Sequence, residues 1–517
     1  MLVSEFLEKS AAKYPDKVAL VCDKKRLTFR QVEESANRIS QALLDYGLEK
    51  QGRVAIFLEP SVEAVVSIFA TLKAGGIFLV INLQVKAKKI EYILNDCQVR
   101  ILITDQRHLA GISGILTHCP SVTRLIITDY GDLEKTSSFQ KFSIKVVSYF
   151  ELLKKYPALP PKKRCIDIDL ASLIYTSGST GTPKGVMLTH LNMVSAANSI
   201  IEYLENTPSD IILNVLPLSF DYGLYQVLMT FKFGGTVVQE KSFLYPYQII
   251  DLIIKEKITG FPIVPTIAAL LLKLRYLQKY DFSTVRYITN TAQALPPKYI
   301  PQLQEIFPRA RIYSMYGLTE CKRVSYLPPE ELEKRPTSVG KAMPNTEAYI
   351  VDKEGKRIEE PGKVGELVVR GANVMKGYWN LAQETEKVLR PGPIPGEKVL
   401  YTGDLFRMDE DGFLYFISRK DDIIKVAGER VSPKEIENAL HNLDGVSEAA
   451  VIGVDDEILG KAVKAFIVLK KGSKLTEEDI LRHCSAHLEN YMIPKFIEFR
   501  KELPKSAHGK ISKKDLR

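Results

Sequence analysis

The sequence has few of the residues on which several classes of protein depend. Its 517 residues include six cysteines, seven histidines and one tryptophan. The cysteines are scattered, form no Cys-x-x-Cys pair and are too sparse for a disulfide framework, which argues against a small disulfide-rich secreted protein. No Ser-His-Asp or Cys-His nucleophile set stands out, and His483 and His487 have no third ligand nearby that would indicate a zinc site.

Long apolar runs are also missing. The apolar stretch 261–272 is well short of the roughly 18 residues needed to span a bilayer, and two prolines interrupt it. Glu5, Glu8 and Lys9 fall where a signal peptide would need its apolar core. We therefore predict a cytoplasmic protein with no membrane span.

The excess of basic residues does not by itself select a partner. A net charge of +9 would suit nucleic acid, the phosphates of CoA or an acidic protein, because all three are polyanions. The basic residues are spread along the chain, and those between 500 and 517 have no interleaved aromatic residues on which bases could stack. We predict no nucleic-acid partner.

The order of apolar patterns predicts an α/β protein. Short β-branched runs at 53–58, 77–81, 99–104 and 123–128 alternate with helical patterns, which favours mostly parallel sheets. We predict a large N-terminal domain of βα-type sheets packed with helices, together with a smaller strand-rich subdomain, and then a small α+β C-terminal domain. The expected ranges are 1–417, with subdomains of about 1–168, 169–336 and 337–417, and 418–517.

A run of small and hydroxyl residues follows the apolar segment 170–175. Residues 174–190 read IYTSGSTGTPKGVMLTH. Glycines let backbone N–H groups turn toward an anion, hydroxyls add donors, and Lys184 supplies a compact positive charge, so the loop suits a polyphosphate. It lacks the spacing of the Walker loop. Standing alone, such a run is more often a flexible linker.

Four further blocks follow in order: 313–320 (YSMYGLTE), 401–405 (YTGDL), 419–437 (RKDDIIKVAGERVSPKEIE) and 504–511 (PKSAHGKI). With these five blocks, nearly the whole chain resembles the adenylate-forming superfamily of acyl-CoA synthetases, amino-acid adenylation enzymes and luciferase-like enzymes. The resemblance implies an AMP-forming ligase that uses ATP and Mg²⁺ to activate a small carboxylic or amino acid as an acyl-adenylate. The acyl group would then pass to CoA or to the phosphopantetheine of a carrier protein.

The resemblance also implies a nucleotide site. The residues that would bind ATP are Thr176, Ser177, Gly178, Ser179, Thr180, Gly181, Lys184, Thr291, Tyr316, Gly317, Thr319, Asp404 and Arg419. Tyr316 would stack on adenine, and Thr319 would donate its hydroxyl to a phosphate. Asp404 would accept hydrogen bonds from both ribose hydroxyls, and Arg419 would donate to the same sugar. Without the resemblance, the segment around Asp404 is a polar turn between strands.

The catalytic residues implied by the resemblance are Lys510, Glu320, Lys184 and Thr180. Glu320 would be the carboxylate ligand of Mg²⁺, since a hard cation prefers oxygen. Lys510 corresponds to a lysine that reaches from the small domain into the site, where its charge offsets the repulsion between the attacking carboxylate and the phosphate.

In this family the small domain swings about a hinge between the two half-reactions. Asp421 falls at the hinge position. Lys425 and Gly428 lie in the loop that would be brought to the site for thioester formation, and Gly428 would permit close approach of a pantetheine arm. Without the resemblance, 419–430 is a charged interdomain turn, and both descriptions can hold together.

The acid-binding residues are expected to be Asp221, Tyr222, Asn290 and Met315. Here the sequence departs from many CoA-forming members, because 216–223 (LPLSFDYG) lacks their histidine. Phe220-Asp221 instead resembles amino-acid-activating members, in which the aspartate pairs with the substrate ammonium. Asp221 is alternatively a helix N-cap.

The sequence departs from the family pattern at two further places near the expected acid-binding residues. The adenine-side loop 289–294 (TNTAQA) lacks the usual glycines. Lys322 and Arg323 place two cations after Glu320, either on the pocket wall, where they would favour an acidic or polar substrate tail, or on the surface.

Three functions therefore remain open from the sequence. The first is an acyl-CoA synthetase. The second is a stand-alone amino-acid ligase that loads an acyl or peptidyl carrier protein. The third is a regulator that binds nucleotide but has lost the chemistry, against which the joint presence of Lys184, Glu320, Asp404 and Lys510 argues. The identity of the acid and the oligomeric state are not predicted.

Overall fold

Strands and helices alternate along most of the chain in the computed structural model, which confirms the predicted α/β class. The structure describes residues 1–129, 144–177, 183–292, 294–420, 422–426, 429–456, 460–505 and 511–516. Within them, no helix has the length and apolar character needed to cross a bilayer.

The described residues form the helices α1 (Glu5–Lys13), α2 (Phe29–Asp45), α3 (Val62–Lys73), α4 (Ala87–Asp96), α5 (Gln106–Ile112), α6 (Tyr149–Lys155), α7 (His190–Tyr203), α8 (Asp221–Phe233), α9 (Pro246–Lys255), α10 (Pro265–Leu271), α11 (Tyr299–Ile306), α12 (Ala382–Val388), α13 (Pro433–Asn442) and α14 (Glu477–His487).

The first strands are β1 (Val18–Cys22), β2 (Lys25–Thr28), β3 (Arg53–Phe57), β4 (Ile77–Val80), β5 (Ile101–Thr104), β6 (Arg124–Ile127), β7 (Lys145–Ser148), β8 (Leu170–Ser177), β9 (Pro183–Thr189), β10 (Ile211–Asn214), β11 (Thr236–Gln239), β12 (Gly260–Ile263), β13 (Tyr287–Asn290), β14 (Arg311–Tyr316), β15 (Ser325–Leu327) and β16 (Lys341–Ala342). They are followed by β17 (Thr346–Val351), β18 (Arg357–Ile358), β19 (Gly365–Gly371), β20 (Gly377–Tyr378), β21 (Leu389–Pro391), β22 (Lys398–Met408), β23 (Leu414–Arg419), β24 (Ile424–Val426), β25 (Glu429–Val431), β26 (Val446–Asp456), β27 (Gly460–Leu469) and β28 (Phe496–Phe499).

Two large sheets contain most of the parallel strands. One has the order β16-β15-β14-β13-β12-β10-β11-β1-β2, and the other has the order β20-β9-β8-β4-β3-β5-β6-β7. The predicted strands at 53–58, 77–81, 99–104 and 123–128 are confirmed as β3, β4, β5 and β6. Each sheet takes strands from both sides of the boundary predicted near residue 168, because β1 pairs with β11 and β4 pairs with β8. That subdomain boundary therefore does not follow the sheets.

Two smaller sheets follow along the chain. The third sheet has the antiparallel order β18-β17-β19-β22-β21, with β23 added to β22. The fourth has the order β25-β24-β27-β26, with β28 parallel to β27. These sheets lie where the sequence predicts a strand-rich segment and a small α+β unit.

A single hydrophobic core joins the two large sheets. It contains residues of β3 and β5 from one sheet, of β10 and β13 from the other, and of α3 and α8. Helix α3 is apolar around almost its whole circumference, and such a helix is stable only when it is buried on all sides. The Ser61 side chain caps its first turn by accepting from the Ala64 N–H, and Gly75 follows its end with a φ of +76° that favours glycine. This shared core fixes the position of the sheet edge at which the predicted site residues lie.

Candidate active site

The predicted acid and nucleotide residues meet at one edge of the nine-stranded sheet. Strands β10, β12, β13 and β14 are parallel neighbours, so their carboxyl ends lie at the same edge. Asn290 ends β13, Tyr316 ends β14, and Asp221 begins the helix after β10. Ligands of open α/β sheets bind outside the carboxyl ends of the strands, so this edge is the expected position of a site.

The loop between β14 and β15, residues 317–324, is held in a tight fold. A Cβ on Gly317 would lie 2.3 Å from the Lys322 carbonyl oxygen, so only glycine fits there. The Asn373 side-chain amide donates to the carbonyl oxygens of Cys321 and Arg323 at 2.9 Å each, and the Met375 N–H donates to the Glu320 carbonyl at 2.7 Å. These contacts orient the loop that carries Thr319 and Glu320.

Three predicted nucleotide residues form a hydrogen-bonded cluster. The Tyr316 hydroxyl donates to Asp404 Oδ2 at 2.6 Å, and Arg419 Nε lies 3.2 Å from Asp404 Oδ1. Asp404 and Arg419 face each other across β22 and β23, so the segment around Asp404 is strand and not a turn. Burial, reinforced by Asp404, raises the pKa of Tyr316 well above its usual value, so this phenol remains a hydrogen-bond donor.

Two residues that the sequence motifs did not indicate, Tyr378 and Glu384, contact the predicted site residues. Tyr378 lies between Glu320, the predicted Mg²⁺ ligand, and Lys184, the lysine predicted to bind phosphate. The Tyr378 hydroxyl donates to Glu320 Oε1 at 2.8 Å. Lys184 Nζ lies 2.6 Å from Glu384 Oε2 and 5.3 Å from the centre of the Tyr378 ring. Hydrogen bonds from Lys184 and then from Lys387 lower the pKa of Glu384 to about 2.

Strand β20 places Tyr378 and Glu384 beside Lys184. Gly377 and Tyr378 pair with β9, the strand that contains Lys184, and the Trp379 N–H donates to the Gly185 carbonyl at 2.7 Å. Residues 376–388 form the segment that we call the docking segment. Its contacts with Lys184 and Glu320 span about 200 and about 60 positions of sequence, so no local pattern could have indicated them.

The predicted acid-contacting residues are buried beside the β14–β15 loop. The Tyr222 hydroxyl donates to the Thr289 carbonyl at 2.9 Å, and the Tyr203 hydroxyl contacts Met315 Sδ at 3.0 Å. Asn290 is fully buried. Asp221 is the first residue of α8, whose N-cap is Phe220, so the N-cap alternative for Asp221 is wrong.

Lys322 and Arg323 are buried at the same place, which excludes the surface alternative. Lys322 Nζ donates to the Asp221 carbonyl at 2.9 Å and lies 3.5 Å from Asp221 Oδ2. Arg323 Nη1 donates to Thr291 Oγ1 at 2.7 Å. Burial lowers the pKa of Lys322 to about 7, while Asp221 acts in the opposite direction.

Several predicted site residues lie outside the described part of the chain. They are Gly178, Ser179, Thr180, Gly181, Asp421, Gly428 and Lys510. Thr176 and Ser177 end β8, and Lys425 lies in β24, where its partner across the sheet is Arg430. Thr291, predicted to contact the nucleotide, accepts a hydrogen bond from Arg323.

The chain is similar to known ligases over its whole length. It is 34% identical to a long-chain-fatty-acid–CoA ligase of Bacillus subtilis strain 168, with 99% of this chain and 94% of the relative covered. It is 30% identical to an indoleacetate–CoA ligase of Aromatoleum aromaticum, with 100% and 98% covered. The crystal structure of the anthranilate–CoA ligase AuaEII with anthranoyl-AMP matches with a TM-score of 0.90 at 29% identity, covering 100% of this chain and 96% of that one.

Two family models match the chain. The model described as AMP-binding enzyme covers residues 7–379, and the model described as AMP-binding enzyme C-terminal domain covers residues 435–510. The first alone covers more than half of the chain. The protein therefore belongs to the family of AMP-binding enzymes and is an ATP-dependent, AMP-forming acid–thiol ligase, which activates a carboxylic acid as an acyl-adenylate, releases pyrophosphate and transfers the acyl group to a thiol.

Proposed function

We propose that the thiol is CoA and that the nucleotide and the acid react at the carboxyl edge of β10, β12, β13 and β14. The observation that carries this proposal is the position of the β14–β15 loop. One end of the loop adjoins the Tyr316, Asp404 and Arg419 cluster, and its other end is buried against the acid-contacting residues. A carboxylate and a ribose-bound phosphate held on the two sides of this loop would be brought into reacting distance.

The nucleoside would be held by the Tyr316 cluster. Asp404 is nearly buried and already accepts a hydrogen bond from Tyr316, which suits a carboxylate that receives the two hydroxyls of a ribose. Arg419 is oriented by Asp404 and would donate to the same sugar. Thr176, Ser177, Lys184 and Thr319, together with 178–181 outside the described residues, would contact the phosphates.

The donor set fits a magnesium ion shared with the nucleotide. No group of three or more His, Cys, Asp or Glu side chains that could hold a metal occurs among the described residues. Mg²⁺ is usually bound by one or two carboxylates together with substrate phosphates, so Glu320, oriented by Tyr378, is a sufficient protein ligand. The ion would neutralise charge on the phosphates during pyrophosphate release.

The remaining assignments concern the C-terminal part. We propose that 418–517 forms a small domain, separate from 1–417, that moves about Asp421. Lys510 would contact the carboxylate and the phosphate during adenylation. After the movement, Lys425 and Gly428 would line the path of the thiol. The six cysteines are all free in the described residues, which supports the predicted cytoplasmic setting.

The carrier-protein alternative loses its main support at Asp221. An amino-acid substrate would need this carboxylate for its ammonium group, but the Lys322 ammonium already lies beside it. Incubation of the enzyme with ATP, Mg²⁺ and a panel of acids tests the proposal, with either free CoA or a phosphopantetheinylated carrier protein as acceptor. Thioester on CoA supports it. Thioester formed only on the carrier protein would show that the acceptor is a carrier protein and not CoA.

A further inference from the structure

Two buried cations, Lys322 and Arg323, stand beside the acid-contacting residues. Their exposed fractions are 3% and 2%, although lysine and arginine side chains are almost never buried without an anionic partner. Lys322 also has a φ of +63°, a conformation that residues other than glycine rarely adopt. The loop therefore adopts an unfavourable backbone conformation while it places two cations in the interior.

The charges around this pair do not balance within the described residues. Among the described residues, Asp221 is the single carboxylate within ion-pair distance of either cation, and it lies beside Lys322. Arg323 forms no ion pair within the described residues. An arginine guanidinium carries its positive charge even when it is buried. A buried charge without a counter-ion is strongly destabilising, so one positive charge at this position lacks an anion.

The hydrogen bonds of Arg323 are also incomplete. Nη1 donates to Thr291, and the guanidinium carbon lies 5.5 Å from the centre of the Tyr222 ring. The Nε atom is buried and has no hydrogen-bond acceptor among the described residues. A guanidinium offers five donors in a planar fork that matches the two oxygens of a carboxylate.

Arg323 lies among the predicted acid-contacting residues. Its guanidinium carbon lies 5.5 Å from the centre of the ring of Tyr222, a predicted acid-contacting residue on α8. The guanidinium also interacts with the hydroxyl of Tyr203, which contacts Met315. Its Nη1 donates to Thr291, which follows Asn290. In the part of the chain that the structure describes, the side-chain contacts of Tyr316, Asp404 and Arg419 with one another do not involve Arg323.

We propose that the acid substrate carries a second carboxylate, in addition to the one that is adenylated, and that this second carboxylate pairs with Arg323. The substrate class is thus a dicarboxylic acid. Lys322, which pairs with Asp221, adds to the positive potential where this second carboxylate would bind. This inference rests on the proposed function, because it specifies the acid of the same site.

The experiment compares straight-chain dicarboxylic acids of graded length with their monomethyl esters, which differ only in the charge of the far group. The readout is acid-dependent AMP formation by the full chain with ATP, Mg²⁺ and CoA. A site built to bind a polar group rejects an analogue that lacks it, so kcat/KM for the best diacid is expected to exceed that for its monoester by ~100-fold or more.

Arg323→Gln then tests the residue. The diacid-to-monoester ratio is expected to fall to within about tenfold of unity, and Arg323→Lys, which keeps the charge, is expected to retain part of the preference. Arg357→Gln, which removes an exposed arginine paired with Glu347, is the matched control and should keep the wild-type ratio.

Three outcomes are distinguishable. A wild-type enzyme that prefers the monoester at every chain length overturns the inference, and this comparison does not depend on whether any variant folds. Equal losses on diacid and monoester in Arg323→Gln also overturn it, since a purely structural role has that effect. If no acid of any class supports AMP formation, the proposed function itself fails.

Discussion

At the scale of single residues, the site depends on a few charged side chains with defined partners. Glu320 has a single side-chain donor among the described residues, Tyr378, and it lies on a loop fixed by Asn373 and Met375. Its carboxylate is therefore positioned before any ligand binds. A preorganised carboxylate can stabilise a metal–phosphate complex without rearrangement during the reaction.

Glu320→Gln tests this role. The variant keeps the shape of the side chain but removes its charge, so we expect AMP formation to fall by ~10²–10³-fold and the Mg²⁺ concentration for half-maximal activity to rise. Steady-state rates across a Mg²⁺ titration provide the measurement. Glu330→Gln, at an exposed residue paired with Arg311, is the control. Unchanged Mg²⁺ dependence in Glu320→Gln would show that another group holds the ion.

His190 predicts a dependence of stability on pH. It is buried, its Nδ1 accepts the Val3 N–H at 3.1 Å, and burial lowers its pKa from 6.5 to about 4. Between these values the unfolded chain binds a proton that the folded protein does not, so stability falls as the pH decreases. When the pH is lowered from 7 to 5, we therefore expect the free energy of unfolding to fall by roughly 1–2 kcal/mol more in the wild type than in His190→Gln.

Urea unfolding of both proteins at pH 7 and pH 5 measures this difference. The exposed His118 gives a control variant, His118→Gln, which should follow the wild type. A wild type and a His190→Gln variant that lose the same stability on acidification would show that His190 does not resist protonation in the folded protein.

At the scale of elements, the docking segment positions Lys184, the lysine proposed to bind the phosphates. Strand β20 pairs with β9, and helix α12 then places Glu384 against Lys184. A bound triphosphate would compete with Glu384 for the same ammonium group. If Lys184 binds the phosphates as proposed, the segment would hold it in place before the nucleotide arrives and would oppose binding to a small extent.

Glu384→Gln should consequently strengthen ATP binding. Ion pairs at the protein surface are weak, so the Kd for ATP is expected to decrease by at most about fivefold. Isothermal titration with ATP measures this, with Glu386→Gln at an exposed residue of the same helix as the control. Weaker ATP binding in Glu384→Gln would mean that Glu384 is required to position Lys184.

The sequence predicts individual elements better than their pairing. Strands β3 to β6 follow from local apolar patterns. The pairing of β4 with β8 and of β1 with β11 joins distant segments, and this is why the predicted boundary near residue 168 does not match the sheets. Strand pairing depends on the whole fold, which local periodicity does not encode.

The same distinction applies to the site. Tyr316, Asp404 and Arg419 could be proposed because each lies in a recognisable block, and they do contact one another. Tyr378 and Glu384 were missed because their partners are distant in sequence. For Lys322 and Arg323 the sequence left pocket wall and surface open, because burial of a charge is decided by packing against α8.

At the scale of the whole molecule, the account requires residues from both ends of the chain to act on one triphosphate. The residues proposed to bind the nucleotide lie within 176–419, and Lys510 belongs to the C-terminal segment, outside the described residues. If the small domain delivers Lys510 for the first half-reaction, removing its charge should affect adenylation and not nucleotide affinity. This separation distinguishes a mobile catalytic lysine from a fixed binding residue.

The most direct test of the central claim is acid-dependent exchange of pyrophosphate into ATP without any thiol, measured for the wild type and for Lys510→Ala. The account predicts exchange only when a suitable acid is present, with a loss of ~10²–10³-fold or more in Lys510→Ala while the Kd for ATP stays unchanged. Exchange that proceeds equally well in the variant would contradict the role of Lys510. The absence of exchange with every acid, despite ATP binding, would contradict the adenylation site itself.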